Sequence, residues 1–336
     1  MHHLAELSQN TQPPEVPFHW NTMECAGMPL HLSATLASGQ NFRWRRNAAG
    51  IWWGVVENTI VAAWQASGQP DSPLYWQTFP EPDCRELIVD YFRLDVDLDS
   101  LYAEWLRSEP CIAESIADFR GLRVLRQPPV ECFFAFQCAA CNTVVKIERS
   151  VAHLAAHYGQ PLNIGSRLGR SSQAELQSDS QADFFAFPTL KALAAADEAI
   201  LRSGMWGYRA PRVIALARHM LAQPEGWLES LRTVPYDAAH AALTELHGVG
   251  AKLADCICLF ALDKDEAVPV DTHVRQIGCR LFVPDMAARS LTPRVYSAIA
   301  DAYRDRFGNY AGWAQQYLFF GELRRASDFL LPCDRS

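Results

Sequence analysis

Several absences narrow this chain before any motif is read. No apolar run approaches the roughly 20 residues that a membrane-crossing helix needs, so no membrane partner is expected. The start, Met1-His2-His3-Leu4-Ala5-Glu6, has no basic segment followed by an apolar stretch. That predicts an intracellular protein. Internal repeats and heptad arrays are missing, which excludes solenoids and coiled coils. The Cys138-x-x-Cys141 pair has no second pair or histidine pair at ligand spacing, and the last fifty residues hold only Cys333. Neither a structural zinc nor a four-cysteine iron–sulfur cluster is therefore expected, and no other cofactor. Net positive charge is missing as well. Lys and Arg total 30 against 38 Asp and Glu, a formal net charge of −8. Nucleic acid binding then requires a local basic surface on an acidic protein. The stretch from Arg202 to Arg218 offers one, with Arg202, Arg209, Arg212 and Arg218 and no acidic residue.

What is present points to a globular α+β protein. Of 336 residues 49% are hydrophobic, enough for a substantial core in two or three packed units. The ten cysteines read as reduced thiols. Residues 1–127 are expected to form an antiparallel sheet domain followed by helices from about Pro82. Candidate strands are His31–Leu36, Phe42–Trp44, Ile51–Val56 and Ile60–Trp64, with turns at Asn47–Gly50 and Glu57–Asn58. Trp52, Trp53, Trp64 and Trp76 belong to its core. Residues 128–336 read as helical, beginning with a buried helix over Val130–Cys141, in which Cys138 packs. An exposed loop is expected over Gly165–Asp183. Helices then follow at Leu190–Leu201, Ala210–Leu221, Ala238–Leu246, Ala251–Leu262, Thr272–Phe282, Pro293–Phe307 and Trp313–Arg325.

The richest stretch runs from Leu243 to Phe282. A helix ends at Leu246, His247-Gly248-Val249-Gly250 turns the chain, and a second helix starts near Ala251. Two glycines flanking one residue let backbone amides approach an anion, and the helix N-terminus behind them favours phosphate. Lys252 sits in the first turn of that helix, either as a phosphate-binding cation or as a nucleophile. The positive helix end disfavours the ammonium, so a depressed pKa is expected. Asp271, after the extended Val268-Pro269-Val270, is placed as a helix N-cap. It can also face the same cleft as Lys252 and stabilise positive charge on a sugar whose base departs.

These segments resemble the 8-oxoguanine DNA glycosylase family, within the helix-hairpin-helix, Gly/Pro-Asp base-excision repair superfamily. The matching runs are Gly248-Val249-Gly250-x-Lys252-x-Ala254-Asp255-Cys256-Ile257 and Val268-Pro269-Val270-Asp271-x-His273. Ser38-Gly39-Gln40-x-Phe42-Arg43-Trp44, Gly207-Tyr208-Arg209-Ala210 and Gly312-Trp313-Ala314-Gln315 with Leu318-Phe319 match in the same order along the chain. The resemblance implies a mainly helical glycosylase core of two subdomains in residues 128–336, with the hairpin at 243–262 and a catalytic loop at 263–273. It implies a monomer acting on double-stranded DNA that contains oxidised guanine. Lys252 would attack the deoxyribose C1′ and form a Schiff base, with Asp271 as its carboxylate partner. Gly39 would offer its carbonyl to the N7 hydrogen of the damaged base, Cys256 and Phe319 would sandwich that base, and Gln315 would read its Watson–Crick edge. Tyr208 would wedge the duplex. Arg209, Asn142 and Lys146 would face the widowed cytosine, and His273 and the Gly248–Gly250 hairpin would hold phosphates.

The chain departs from the family pattern at three points. Cys141 stands where the first of three asparagines is usual, Lys146 replaces an arginine, and His247 replaces a proline. Lysine lacks arginine's bidentate fork, so weaker discrimination for cytosine is expected. A monofunctional alkyl-base glycosylase and a non-enzymatic DNA-binding module are the alternatives. Lys252 counts against the first, and its pairing with Asp271 against the second.

Overall fold

A computed structural model describes residues 12–66, 69–139, 143–164 and 184–329, the side chains of 324–329 excepted. Asn142, Cys141 and the expected loop at 165–183 lie outside the described residues.

The N-terminal part holds one antiparallel sheet of β1 (Asn21–Met23), β2 (Arg45–Arg46), β3 (Trp52–Val56), β4 (Thr59–Trp64) and β5 (Leu74–Phe79), in the spatial order β1-β5-β4-β3-β2. The β3–β4 hairpin turns at Glu57–Asn58, pairing Val56 with Thr59 and Trp52 with Ala63. Alternation sends Val56, Val61, Ala63, Leu74 and Trp76 to one face, and Trp53, Val55, Ile60, Ala62 and Trp64 to the other. Both faces are covered, which explains why these strands read as nearly continuous apolar runs. α1 (Leu32–Ala37) and α2 (Arg85–Tyr91) pack on the first face.

Two expected strands take other forms. His31–Leu36 is the start of helix α1, not a strand. The ring nitrogen Nδ1 of His31 accepts the Ala34 amide at 3.2 Å, and Leu32 and Leu36, one turn apart, are both buried. The polar residue that suggested alternation, Thr35, is fully buried, and its hydroxyl accepts the Arg123 amide at 3.1 Å. Phe42–Trp44 is irregular chain, and the short edge strand β2 begins just after it.

α3 (Leu98–Ser108) and α4 (Ala113–Phe119) precede a helical body. α5 (Pro129–Gln137) is its centre, with Cys132, Phe133 and Phe134 wholly buried. Around it lie α6 (Val144–Tyr158), α7 (Leu190–Ala194), α8 (Glu198–Leu201), α9 (Ala210–Leu221), α10 (Trp227–Ser230), α11 (Tyr236–Thr244), α12 (Ala251–Ala261), α13 (Thr272–Leu281), α14 (Pro293–Phe307) and α15 (Ala311–Phe329). The expected helix Leu190–Leu201 is divided, because Thr189 and Asp197 each cap a separate start. Phe136 of α5 stacks on Phe260 of α12 with centroids 5.5 Å apart. α3 and α4 pack on α15, where the Tyr102 and Tyr317 hydroxyls meet at 2.6 Å and Phe119 touches Phe320. Arg43 of the N-terminal part pairs with Glu131 of α5 at 2.7 Å. None of the described helices is long and apolar enough to cross a membrane.

Candidate active site

The hairpin between α11 and α12 is held from below by buried Leu246 and Val249, with the Val249 amide donating to the Leu246 carbonyl at 3.0 Å. Gly248 has a φ of +79°, and an added Cβ would lie 2.7 Å from the Arg212 guanidinium. A left-handed turn favours glycine, and the end of the Arg212 side chain occupies the space a Cβ would take. Gly250 is the N-cap of α12 and brings no side chain, so the first amides of the helix have no capping acceptor of their own.

Helix α12 carries Lys252 and Cys256 one turn apart. From Asp263 to Val270 the chain runs without regular structure and is pinned repeatedly. The Lys264 ammonium donates to the Arg232 carbonyl at 2.6 Å, and the Gly312 amide to the Asp265 carbonyl at 2.8 Å. The Asp265 carboxylate accepts the two terminal Arg93 guanidinium nitrogens, at 2.5 and 2.9 Å, and the Trp313 indole N–H at 2.8 Å. The segment ends at Asp271, which caps α13 by accepting the Val274 amide at 2.8 Å. The N-terminal part contributes Gly39, at φ +78° and with no atom within 4 Å of a notional Cβ. Its turn is locked by buried Gln40, which donates to the Arg123 carbonyl and accepts the Leu125 amide, both at 2.8 Å. Gln316 of α15 donates to the Ser38 carbonyl at 3.1 Å, tying the turn to the helix that carries Gln315 and Phe319.

Lys252, Cys256, Asp271, Gly39, Gln315 and Phe319 all line one cavity of ≈ 60 Å³, floored by Phe136 and Phe260. The side-chain carbonyl oxygen of Gln315, one of the lining residues, is buried and without a hydrogen-bond partner among the described residues. A buried acceptor left open costs about 1–3 kcal/mol, which a ligand donor would recover. His273 stands at the rim, its ring 6.1 Å from that of Phe319. Tyr208 and Arg209 lie apart from the cavity on a short turn ahead of α9. Tyr208 is 65% exposed, and the Arg209 guanidinium lies 4.5 Å over its ring. Lys146 is exposed in the first turn of α6.

The electrostatics correct one expectation. Lys252 is held above the ordinary lysine value, not below it. The charge of Cys256 is the first cause and burial opposes it. A hydrogen bond to Cys256 and the charge of Asp271 add to the rise. Burial pushes the Cys256 thiol up while Lys252 draws it down. A partner one turn along, together with Asp271, raises the value in spite of burial. In the free protein Lys252 is an ammonium at pH 7.

Residues 23–133 match the 8-oxoguanine DNA glycosylase N-terminal domain, and residues 142–294 match the HhH-GPD superfamily of base excision DNA repair proteins. The N-glycosylase/DNA lyase OGG1 of Arabidopsis thaliana is 34% identical over 308 residues, covering 90% of this chain and 80% of the relative. The chain belongs to the 8-oxoguanine DNA glycosylase family. A Saccharomyces cerevisiae N-glycosylase/DNA lyase is 30% identical, over 70% of this chain and 66% of that protein. The fold is also that of the Clostridium acetobutylicum 8-oxoguanine glycosylase/lyase, solved with dsDNA containing cytosine opposite 8-oxoG. That structure has a TM-score of 0.74 at 24% identity, covering 92% of this chain and 99% of its own.

The family motif named the lining of the cavity but not what braces it. Gln316, the Arg93–Asp265–Trp313 cluster and the partners of Asp255 were missed. One signal was legible: an aspartate between alanine and cysteine in an apolar helix must find donors when buried.

Proposed function

We infer that this protein is a bifunctional DNA glycosylase and AP lyase that excises 8-oxoguanine from duplex DNA, acting as a monomer inside the cell. The observation that carries the reading is convergence. Six residues from three distant segments meet at one cavity, with an amine, a carboxylate and an open amide acceptor among them. A cavity of ≈ 60 Å³ is far below the roughly 300 Å³ of a usual ligand site, so an extruded base must widen it.

In this reading Lys252, once relieved of its proton, attacks C1′ as the bond to N9 breaks and the base leaves with the electron pair. The adduct opens to a Schiff base, loss of a C2′ proton follows, and the 3′ phosphate is expelled. Asp271 faces the positive charge that develops on the sugar. Gly39 accepts the N7 hydrogen that guanine lacks, Gln315 bonds the base edge, and Cys256 and Phe319 flank the ring. The bare first turn of α12, with Arg212 beside Gly248, serves the backbone phosphates, as does His273. Tyr208 opens the stack, and Arg209, Lys146 and Asn142 meet the opposite cytosine.

Borohydride trapping on duplexes with 8-oxoguanine opposite cytosine tests this, using wild type beside Lys252→Gln. A covalent adduct with wild type alone is expected. Base release without an adduct would reduce Lys252 to a phosphate contact, and binding without release would overturn the substrate.

A further inference from the structure

Asp255 lies on the nucleophile's helix, next to Cys256, and has no exposed surface. A buried carboxylate persists only with donors, and two phenols supply them. Its Oδ1 accepts the Tyr236 hydroxyl at 2.6 Å and its Oδ2 the Tyr296 hydroxyl at 2.5 Å. The two tyrosines then differ. Tyr296, in the first turn of α14, also accepts the Val270 amide at 3.2 Å. That amide belongs to the residue immediately ahead of Asp271. Tyr236 makes no hydrogen bond to the catalytic loop among the described residues, and its ring lies against His240 and Arg304.

We propose that Tyr296, oriented by Asp255, is a positioning residue that sets Asp271 relative to Lys252. This rests on the function inferred above. The carboxylate and the amine sit on different helices, joined by irregular chain that must hold them within a fraction of an ångström for efficient chemistry. The Asp255–Tyr296 strut fixes the end of that chain from the helix that carries Lys252. Because Tyr296 gives its single proton to Asp255 at 2.5 Å and not to the Val268 carbonyl 3.4 Å away, its oxygen is left to accept from Val270. The carboxylate thereby decides the direction of the whole relay.

Tyr296→Phe removes one oxygen and keeps the ring, and Tyr236→Phe is the matched control on the same carboxylate. For Tyr296→Phe, single-turnover release of 8-oxoguanine at saturating DNA is expected to fall about tenfold. The half-saturating DNA concentration should stay within about twofold, and the Val270 amide should lose its protection from hydrogen exchange. Tyr236→Phe is expected to lose as much resistance to urea but to keep release within about threefold, with Val270 protected. Equal losses of rate in the two variants would overturn the proposal, as would a Tyr296→Phe protein with wild-type rate and a protected Val270. Failure of the wild type to release base would instead overturn the functional reading, while the exchange comparison would still decide whether the strut exists.

Discussion

Asp265→Ala is the perturbation that most directly tests whether the loop before Asp271 is braced from outside. In the native protein both terminal Arg93 guanidinium nitrogens meet the carboxylate, with side-chain exposures of 6% for Arg93 and 14% for Asp265. Burial works against the Arg93 charge, yet hydrogen bonds and charge from Asp265 hold its pKa above the ordinary value. Trp313 donates its indole N–H to the same carboxylate, and the guanidinium lies 5.1 Å over its ring. Removing the carboxylate strands a buried cation and an indole donor together. Breaking a buried pair by deleting one partner costs about 3–5 kcal/mol, a large share of a typical net stability of roughly 5–15 kcal/mol. Equilibrium urea denaturation followed by tryptophan fluorescence measures the loss. Arg93→Met with Asp265→Leu should recover at least half of it, because the stranded charge is gone. A loss below about 1 kcal/mol for Asp265→Ala alone is the value of a solvated surface pair, and would refute the brace.

Three further outcomes follow from the same geometry. Gln316→Ala deletes the bond to the Ser38 carbonyl, worth about 1 kcal/mol, and loosens the turn that presents Gly39. Base release should fall several-fold while cleavage of a preformed abasic site holds within about twofold, and parallel losses in both assays would contradict that. Gly39→Ala meets no neighbouring atom but must adopt φ +78°, so urea denaturation should show a loss of roughly 1–2 kcal/mol from strain alone. Cys256→Ala removes the first cause that holds Lys252 above its ordinary value and leaves burial, opposed only by the smaller effect of Asp271, pulling it down. A lower pKa means more neutral amine at pH 7, so borohydride trapping on abasic DNA should reach half its maximum at lower pH. An unchanged or more alkaline profile would refute the pairing of these two residues.

Local signals made much of the helical body legible in the chain. Pro293 at the first turn and Phe307 before Gly308 bound α14 where periodicity places it. The site was legible for a different reason: its residues fall in short motifs whose glycines, lysine and aspartate keep fixed spacing. What failed was whatever depends on a distant partner. Leu32, Ala34 and Leu36 alternate as a strand would, yet Thr35 finds the Arg123 amide, and the segment closes into a helix. β1 and β5 were not anticipated, since Asn21–Met23 has no alternation to read and acquires its form only by pairing with Leu74–Trp76. The state of Lys252 was misread because the helix end is visible in sequence, while the balance of Cys256, Asp271 and burial is set by packing.

Two features of the resting site make sense together. Lys252 is held protonated and is therefore no nucleophile, and the cavity it lines is narrow, at ≈ 60 Å³. If either feature stood alone the site would be half ready, open to small electrophiles or able to bind a base without attacking its sugar. In the function proposed above, a base that enters passes between Phe319 and Cys256, meets the open Gln315 oxygen and so intrudes on the hydrogen bond between Lys252 and Cys256. Occupancy then acts on Lys252 through its hydrogen bond to Cys256, whose own thiol is held above the ordinary value by burial. On the same proposal normal guanine brings an acceptor at N7 against the Gly39 carbonyl, so its entry is penalised. In this reading the selectivity of the site and the masking of its nucleophile arise from one arrangement of residues.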